Sequence, residues 1–277
     1  MLDQRPQKMY LEQFSPWLSD FQFQKFDEVE VPGQYLQHKD NNADFIKIDR
    51  ILPVVDNVRG HGISYKRLTF RGHDGSLHPF AVQYPAARHC RREERIAQLL
   101  RMFNEVLARK KESRRRNLFF SLPAAFPLSP HIRMVEDDVS YISLHQVYED
   151  FCNRSGVHKD EAIDFYVKSV EQAMTMRTDK DTKEWLNNVR MEIIQAIRQR
   201  IVPDTFLLDF FKRTFSTFPD LWLFRKQFTL QYATVAFQTY LLAINNRYPQ
   251  KLFFSRAKGN IWNTELLPCT TIVLEAS

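Results

Sequence analysis

Residues 240–254 read YLLAINNRYPQKLFF. The run closes a long apolar helix pattern and then opens a short apolar strand pattern. Between the two lies a polar stretch, Asn245-Asn246-Arg247-Tyr248-Pro249-Gln250-Lys251. Polar loops held between a core helix and a core strand often carry catalytic groups, because a rigid scaffold positions them at the surface. Whether this one does depends on the elements around it.

Working outward, the helix that feeds the loop spans "LWLFRKQFTLQYATVAFQTYLLAI" and is the longest and least charged of the chain, so it is expected at the centre of a core. Its charge-free part, Phe228–Ile244, is 17 residues long with two glutamines and three threonines, which suits a buried helix rather than a bilayer span. Earlier helical patterns stripe Ile163, Val167, Val170 and Met174, then Leu186, Val189, Ile193, Ile197 and Ile201 up to Pro203. "DTFLLDFFKRTF" predicts a short, very apolar helix. The first third reads as strands. Ala43–Val55 is β-branched and interrupted by Pro53, and Gly62–Phe70 and Leu77–Tyr84 form a hairpin around "GHDGS". A helix follows Pro85, with Ile96, Leu99, Phe103 and Val106 at helical spacing, and then an extended connection through "NLFFSLPAAFPLSP".

Composition agrees with a packed, helix-rich body. Of 277 residues, 44% are apolar and 26% charged, with 23 phenylalanines against 7 glycines. The 3 cysteines, Cys90, Cys152 and Cys269, are too far apart for a disulfide framework or a metal-ligand spacing, which points to a reducing compartment. The N-terminus has no apolar signal region, and a soluble intracellular protein is expected. The formal charge of +6 resides in one segment: residues 61–120 hold 14 Lys and Arg against 5 Asp and Glu.

Hairpin, helix, extended connection and helical lobe is the order of a kinase-like fold. The segments "VEVPGQYLQ", "FIKIDRILPVVDNVRGHGISYKRLTFRGHDGSLHPFAVQYPAARHCRREERIAQLL" and "WLFRKQFTLQYATVAF" resemble the kinase-like domain of the phosphatidylinositol-3-kinase-related family, and within it the pseudokinase branch. The resemblance runs from about Phe21 to about Asn260. It implies an α+β, protein-kinase-like bilobal fold of the PI3K/PI4K type, with a β-rich N-lobe and an incomplete helical C-lobe. The expected boundaries are an N-terminal extension over 1–20, the N-lobe over 21–140, the partial C-lobe over 141–263 and a divergent tail over 264–277.

Active members of that family carry Asp-Arg-His-x-x-Asn after the long apolar helix. There the Asp orients or deprotonates the acceptor hydroxyl and the Asn helps hold the metal that clamps the phosphates. The matching run here is Asn246 to Lys251, and only Arg247 survives. Asn246 cannot serve as a base, because its amide does not titrate near neutral pH. Tyr248 stands at the His position, and Lys251 sets a cation where a dication should bind. The family's phosphate-contacting lysine precedes the first helix, yet no lysine occurs between Lys66 and Lys110. Gly60-His61-Gly62 reads as a turn, since no GxGxxG is present. From Gly259 onward there is no aspartate for a metal-binding Asp-Phe-Gly, and Glu265 is not assigned to a metal. The degenerate loop positions are therefore Asn246, Arg247, Tyr248 and Lys251, with no catalytic residue, cofactor or metal expected.

Other catalytic readings are weaker. The 8 histidines lack HExxH spacing, and Glu136-Asp137-Asp138 and Asp179/Asp181 read as solvated loops. Cys90 lies among arginines without a placed base. The basic run Ala108–Asn117 holds Arg109, Lys110, Lys111, Arg114, Arg115 and Arg116, a nuclear-targeting or nucleic-acid-contacting patch in one reading and a solvated helix end in the other. No aromatic residue interleaves it, which argues against a single-strand stacking platform.

The resemblance implies a non-catalytic, nuclear scaffold whose partners are protein subunits of a histone acetyltransferase complex and transcriptional activators, with no membrane. Two alternatives stay open: an active kinase with displaced residues, and a basic nucleic-acid-binding protein. Because the chain stops about where the activation segment should begin, parts of "FLLDFFKRTF" and "FTLQYATVAF" are expected to be uncovered and to favour association.

Overall fold

The computed structural model describes residues 8–21, 29–34, 45–60, 63–84, 90–176, 183–244, 248–264 and 266. The N-terminal sheet contains β1 (Lys8–Tyr10), β2 (Ile48–Ile51), β3 (Val54–Gly60), β4 (Ile63–Gly72), β5 (Leu77–Gln83), β6 (Ala125–Ser129) and β7 (Ile132–Glu136). Its order is β1-β3-β4-β5-β7-β6, all neighbours antiparallel, with β2 also pairing β4. Pro53 separates β2 from β3, as its lack of an N–H requires, and its carbonyl accepts from the Leu11 N–H at 2.7 Å. The turn between β4 and β5 is closed by Asp74, which accepts from the Ser76 N–H at 3.0 Å while Gly75 sits at φ +82°.

One face of this sheet buries Val55, Phe70, Phe80 and Met134 under Leu11, Phe21 and Val31. The short helix α1 (Pro16–Ser19) lies in the same N-terminal segment, and its Leu18 packs against that cluster. Within the expected extension over 1–20, β1 pairs with β3 and Leu11 joins the core of the sheet. On the opposite face Ala81 and Val135 are paired in register and buried.

α2 (Cys90–Arg109) departs from the expected stripe by one position. Ile96, Leu100, Phe103 and Leu107 face inward, Leu100 fully buried, whereas Leu99 and Val106 are exposed. Both sets obey i, i+3/i+4 spacing; Phe120 and Leu266, which close the cluster, decide between them. The helix breaks at Lys110, whose ψ of 127° is extended, and resumes as the one-turn α3 (Lys111–Arg115).

The C-terminal half holds β8 (Tyr141–Ser143), α4 (Leu144–Ser155), α5 (Glu161–Thr175), α6 (Lys183–Arg200), α7 (Phe206–Thr214), α8 (Phe218–Leu241), β9 (Leu252–Ser255) and β10 (Ile261–Asn263). The strands form a small antiparallel sheet in the order β10-β9-β8. α4 starts at a reciprocal cap between Ser143 and Gln146 and ends at Gly156 in the left-handed conformation. α7 and α8 meet through Phe211, whose ring centroid lies 4.9 Å from Phe224, 5.1 Å from Phe228 and 5.7 Å from Phe254 of β9. The expected uncovered face on α7 is therefore mostly packed, while α8 leaves Tyr232, Phe237, Tyr240 and Leu241 exposed.

α5 and α6 pack on each other as a hairpin. The α6 stripe is half-buried in it, but Ile163 (62% exposed) and Val167 of the α5 stripe face outward. Apolar periodicity predicted the helix correctly and its burial wrongly, because a two-helix hairpin covers only part of each stripe.

Candidate functional site

The loop that ends α8 and starts β9 is described from Tyr248 onward; Asn246 and Arg247 lie outside the described residues. Tyr248 to Lys251 form a tight turn, with the Lys251 N–H donating to the Tyr248 carbonyl at 2.9 Å. The turn is anchored on both sides. The His145 N–H at the start of α4 donates to the Pro249 carbonyl at 3.2 Å, and the Thr264 N–H beyond β10 donates to the Lys251 carbonyl at 2.9 Å. Lys251 holds its ammonium 5.7 Å from the Tyr248 ring centroid, within range of a cation–π contact. Lys251 is thus turned onto its own loop.

The strand before α2 is β5, which contains no lysine; Tyr84, just beyond it, is exposed. Lys66 sits on β4 with its ammonium 4.0 Å from the Phe14 ring centroid, committed to the N-terminal segment. In α2, Glu93 accepts from Arg133 Nη1 at 2.7 Å, both side chains largely shielded. The pair ties α2 to β7 of the sheet.

Glu136-Asp137-Asp138 is corrected from a solvated loop to a structural corner. Asp137 accepts from Arg67 Nε at 2.5 Å, Asp138 accepts from the Ser140 N–H at 2.8 Å, and Glu136 accepts from the Ala124 N–H at 3.2 Å. Beside them, burial pushes the Tyr65 phenol above its ordinary value, and the Asp137 charge adds to the shift. Burial also raises Tyr141, with Asp138 and Glu136 acting in the same direction against a hydrogen bond to Ser121. Both phenols stay protonated at neutral pH and supply no base. Gly60 pairs with Ile63 at the end of the β3–β4 hairpin, whereas His61, Gly62, Asp179, Asp181, Glu265 and the tail beyond Leu266 lie outside the described residues. Cys90 opens α2, and Cys152 is buried in α4. Among the described residues no three His, Cys, Asp or Glu side chains converge on a metal site, and no helix is long and apolar enough to cross a membrane.

A frame that sequence reasoning missed joins α8 to α2 and β10. Gln231 of α8, 1% exposed, donates through Nε2 to the Phe119 carbonyl at 3.0 Å and accepts through Oε1 from the Ile261 N–H at 3.4 Å. Asn104 of α2 satisfies both backbone groups of Phe120, donating to its carbonyl at 3.0 Å and accepting from its N–H at 2.7 Å. Two amides thereby join α2, the connection through Phe119 and Phe120, α8 and β10. Leu266, just past β10, completes the apolar side of the same junction with Leu100 and Phe120. Gly259, at φ +72°, lets the β9–β10 turn pass against α8, where an added Cβ would lie 3.2 Å from the Phe224 carbonyl oxygen. The buried amides in the "FTLQYATVAFQ" pattern were the one sequence signal for this frame, since a glutamine inside a core helix needs partners.

The six basic residues lie around the break between α2 and α3. Arg109 ends α2, Lys110 sits in the break, Lys111, Arg114 and Arg115 lie on α3, and Arg116 caps it; all are exposed. Glu112 takes Arg116 at 2.6 Å.

Comparison with known proteins places these observations. The chain is 46% identical over 267 residues to the SAGA complex/NuA4 acetyltransferase complex subunit TRA1 of Saccharomyces cerevisiae, covering 96% of this chain and 7% of that protein. It is 34% identical over 259 residues to the human Transformation/transcription domain-associated protein, covering 93% of this chain and 6% of that one. The chain therefore spans less than a tenth of these two relatives. The open conformation of CtTel1 superposes with a TM-score of 0.73 at 18% identity over 95% of the chain, a likeness of fold. The profile of the Phosphatidylinositol 3- and 4-kinase family matches residues 79–269, from β5 through the loop to the end of the junction. The chain belongs to the phosphatidylinositol 3- and 4-kinase family.

Proposed function

We propose that this chain is a pseudokinase segment of a transcription-coactivator scaffold, a non-catalytic part of a nuclear histone acetyltransferase complex. The observation that carries the reading is the 46% identity, over 96% of the chain, to a subunit of the SAGA and NuA4 acetyltransferase complexes. The catalytic part of the reading rests on the loop. Asn246 replaces the orienting acid, Lys251 faces Tyr248 at the metal-ligand position, and β5 lacks its lysine. Phosphotransfer is almost wholly positioning and charge neutralisation at the phosphates, so losing a base, a metal ligand and the lysine together removes its means. A β-rich lobe over 21–140 and a partial helical lobe over 141–263 then act as a packing platform.

The test uses the full-length protein that contains this segment, tagged and purified from nuclear extract. Its co-purification with acetyltransferase subunits, unchanged when Asn246→Ala and Lys251→Ala are introduced, is the expected result. Purification free of acetyltransferase activity overturns the scaffold reading. Loss of a nucleotide-dependent activity in the loop variants overturns the pseudokinase reading.

A further inference from the structure

A second surface lies outside the loop and its frame. Between α2 and α8, Phe103, Val106 and Leu107 face Ala233, Phe237 and Leu241 across an open groove of about 470 Å³. Val106 is 51% and Phe237 56% exposed, so the groove meets solvent with apolar walls. The α8 wall has no charged residue from Thr229 to Leu241. The groove's end is different. Leu107 and Leu118, both lining residues, bracket the basic turn: Ser113 Oγ donates to the Leu107 carbonyl at 2.7 Å, and the Leu118 N–H donates to the Ser113 carbonyl at 3.0 Å. Six exposed cations therefore crowd the mouth of an apolar trough, and the acid among them, Glu112, is already engaged by Arg116.

We propose that the groove and its basic mouth together receive an acidic, amphipathic segment of another protein subunit, with apolar side chains along the trough and carboxylates on the turn. Apolar walls bounded by one sign of charge select a ligand carrying both features, burial supplying contact and charge supplying orientation. A nucleic acid backbone would use the cations and leave Val106 and Phe237 wet. A second copy of this chain would bring two basic turns together. The chain's own residues 267–277 hold a single acid, Glu275, a poor match for six cations. The proposal rests on the scaffold reading above and adds the chemistry of one partner.

The experiment uses the full-length protein in its purified complex, whose composition is established first. Phe237→p-benzoylphenylalanine is photolysed, and in parallel a carbodiimide couples Lys110 and Lys111 to neighbouring carboxylates. Both reactions are expected to map to one segment of a different subunit, apolar residues to the first and Asp or Glu to the second. Combining Lys110→Glu, Lys111→Glu and Arg114→Glu should lower the photo-crosslink yield by about tenfold, and raising salt should lower it as well. Val106→p-benzoylphenylalanine repeats the test from the other wall should the first variant misfold, with hydrogen exchange of α2 and α8 as the folding check. Crosslinks to any other part of the same polypeptide, residues 267–277 included, to a second copy or to nucleic acid overturn the proposal, as does no crosslink from a protein shown to be in its complex. A protein absent from any acetyltransferase complex overturns the scaffold reading itself, and this one falls with it.

Discussion

The turn at Tyr248–Lys251 and the frame that joins α8 to α2 and β10 treat polar groups in opposite ways. In the frame, the Gln231 and Asn104 amides are spent on named backbone partners, and Gln231 is almost wholly buried. At the turn, backbone hydrogen bonds fix the path, but the Lys251 side chain is directed at the ring of its own loop. A buried amide without partners costs about 1–3 kcal/mol, whereas the cation–π contact of the half-buried Lys251 is worth about 0.5–1 kcal/mol. Shape and chemistry are therefore separable in this fold. Backbone hydrogen bonds from His145 and Thr264 hold the turn's path whatever its side chains can do.

The contrast predicts a graded series. The largest effect belongs to the core behind the frame: Phe211→Ala should lose about 3–5 kcal/mol of stability in urea unfolding, since its ring joins α7, α8 and β9. Gln231→Leu keeps the volume but strands the Phe119 carbonyl, and should cost about 1–3 kcal/mol. It should also speed amide exchange of the β10 Ile261 N–H, which a uniformly loosened protein would not single out. Gly259→Ala forces a positive φ on a residue with a Cβ and presses it against α8, so a loss above about 1 kcal/mol is expected from the same unfolding curves. At the bottom of the scale, Lys251→Ala should cost about 1 kcal/mol or less, since it removes a half-buried cation–π contact. If Lys251→Ala destabilised as much as Gln231→Leu, the separation of loop from frame would fail.

Much of this was legible beforehand, for identifiable reasons. β-Branched runs, Pro53 and the "GHDGS" turn marked the strands from β2 to β5, and long apolar periodicity marked α2 and α5 to α8. The expectation of a missing loop acid and an absent lysine came from setting residue identities beside the family resemblance. Other elements escaped, β1, α1 and β10 among them. β7 and β8 are short and separated by acids, so neither period nor composition declared them. α4 was missed despite its signal, the Ser143-x-x-Gln146 cap followed by Val147 and closed by Gly156. The inward face of α2 was misassigned because helical spacing permits two faces, and the choice depends on Phe120 and Leu266, the latter distant in sequence. The same limit hid the role of Gln231, whose partners Phe119 and Ile261 become visible only once the chain has folded.

The central claim, a kinase frame without phosphotransfer, is tested most directly by incubating the purified full-length protein with magnesium and γ-labelled ATP. Label transferred to itself, to its co-purifying subunits and to histones is then counted, for the parent and for Asn246→Ala combined with Lys251→Ala. The account predicts no transfer above a heat-denatured control in either protein. Transfer by the parent that disappears in the double variant would contradict it, because the loop would then be performing the chemistry that its residues are held here to have lost.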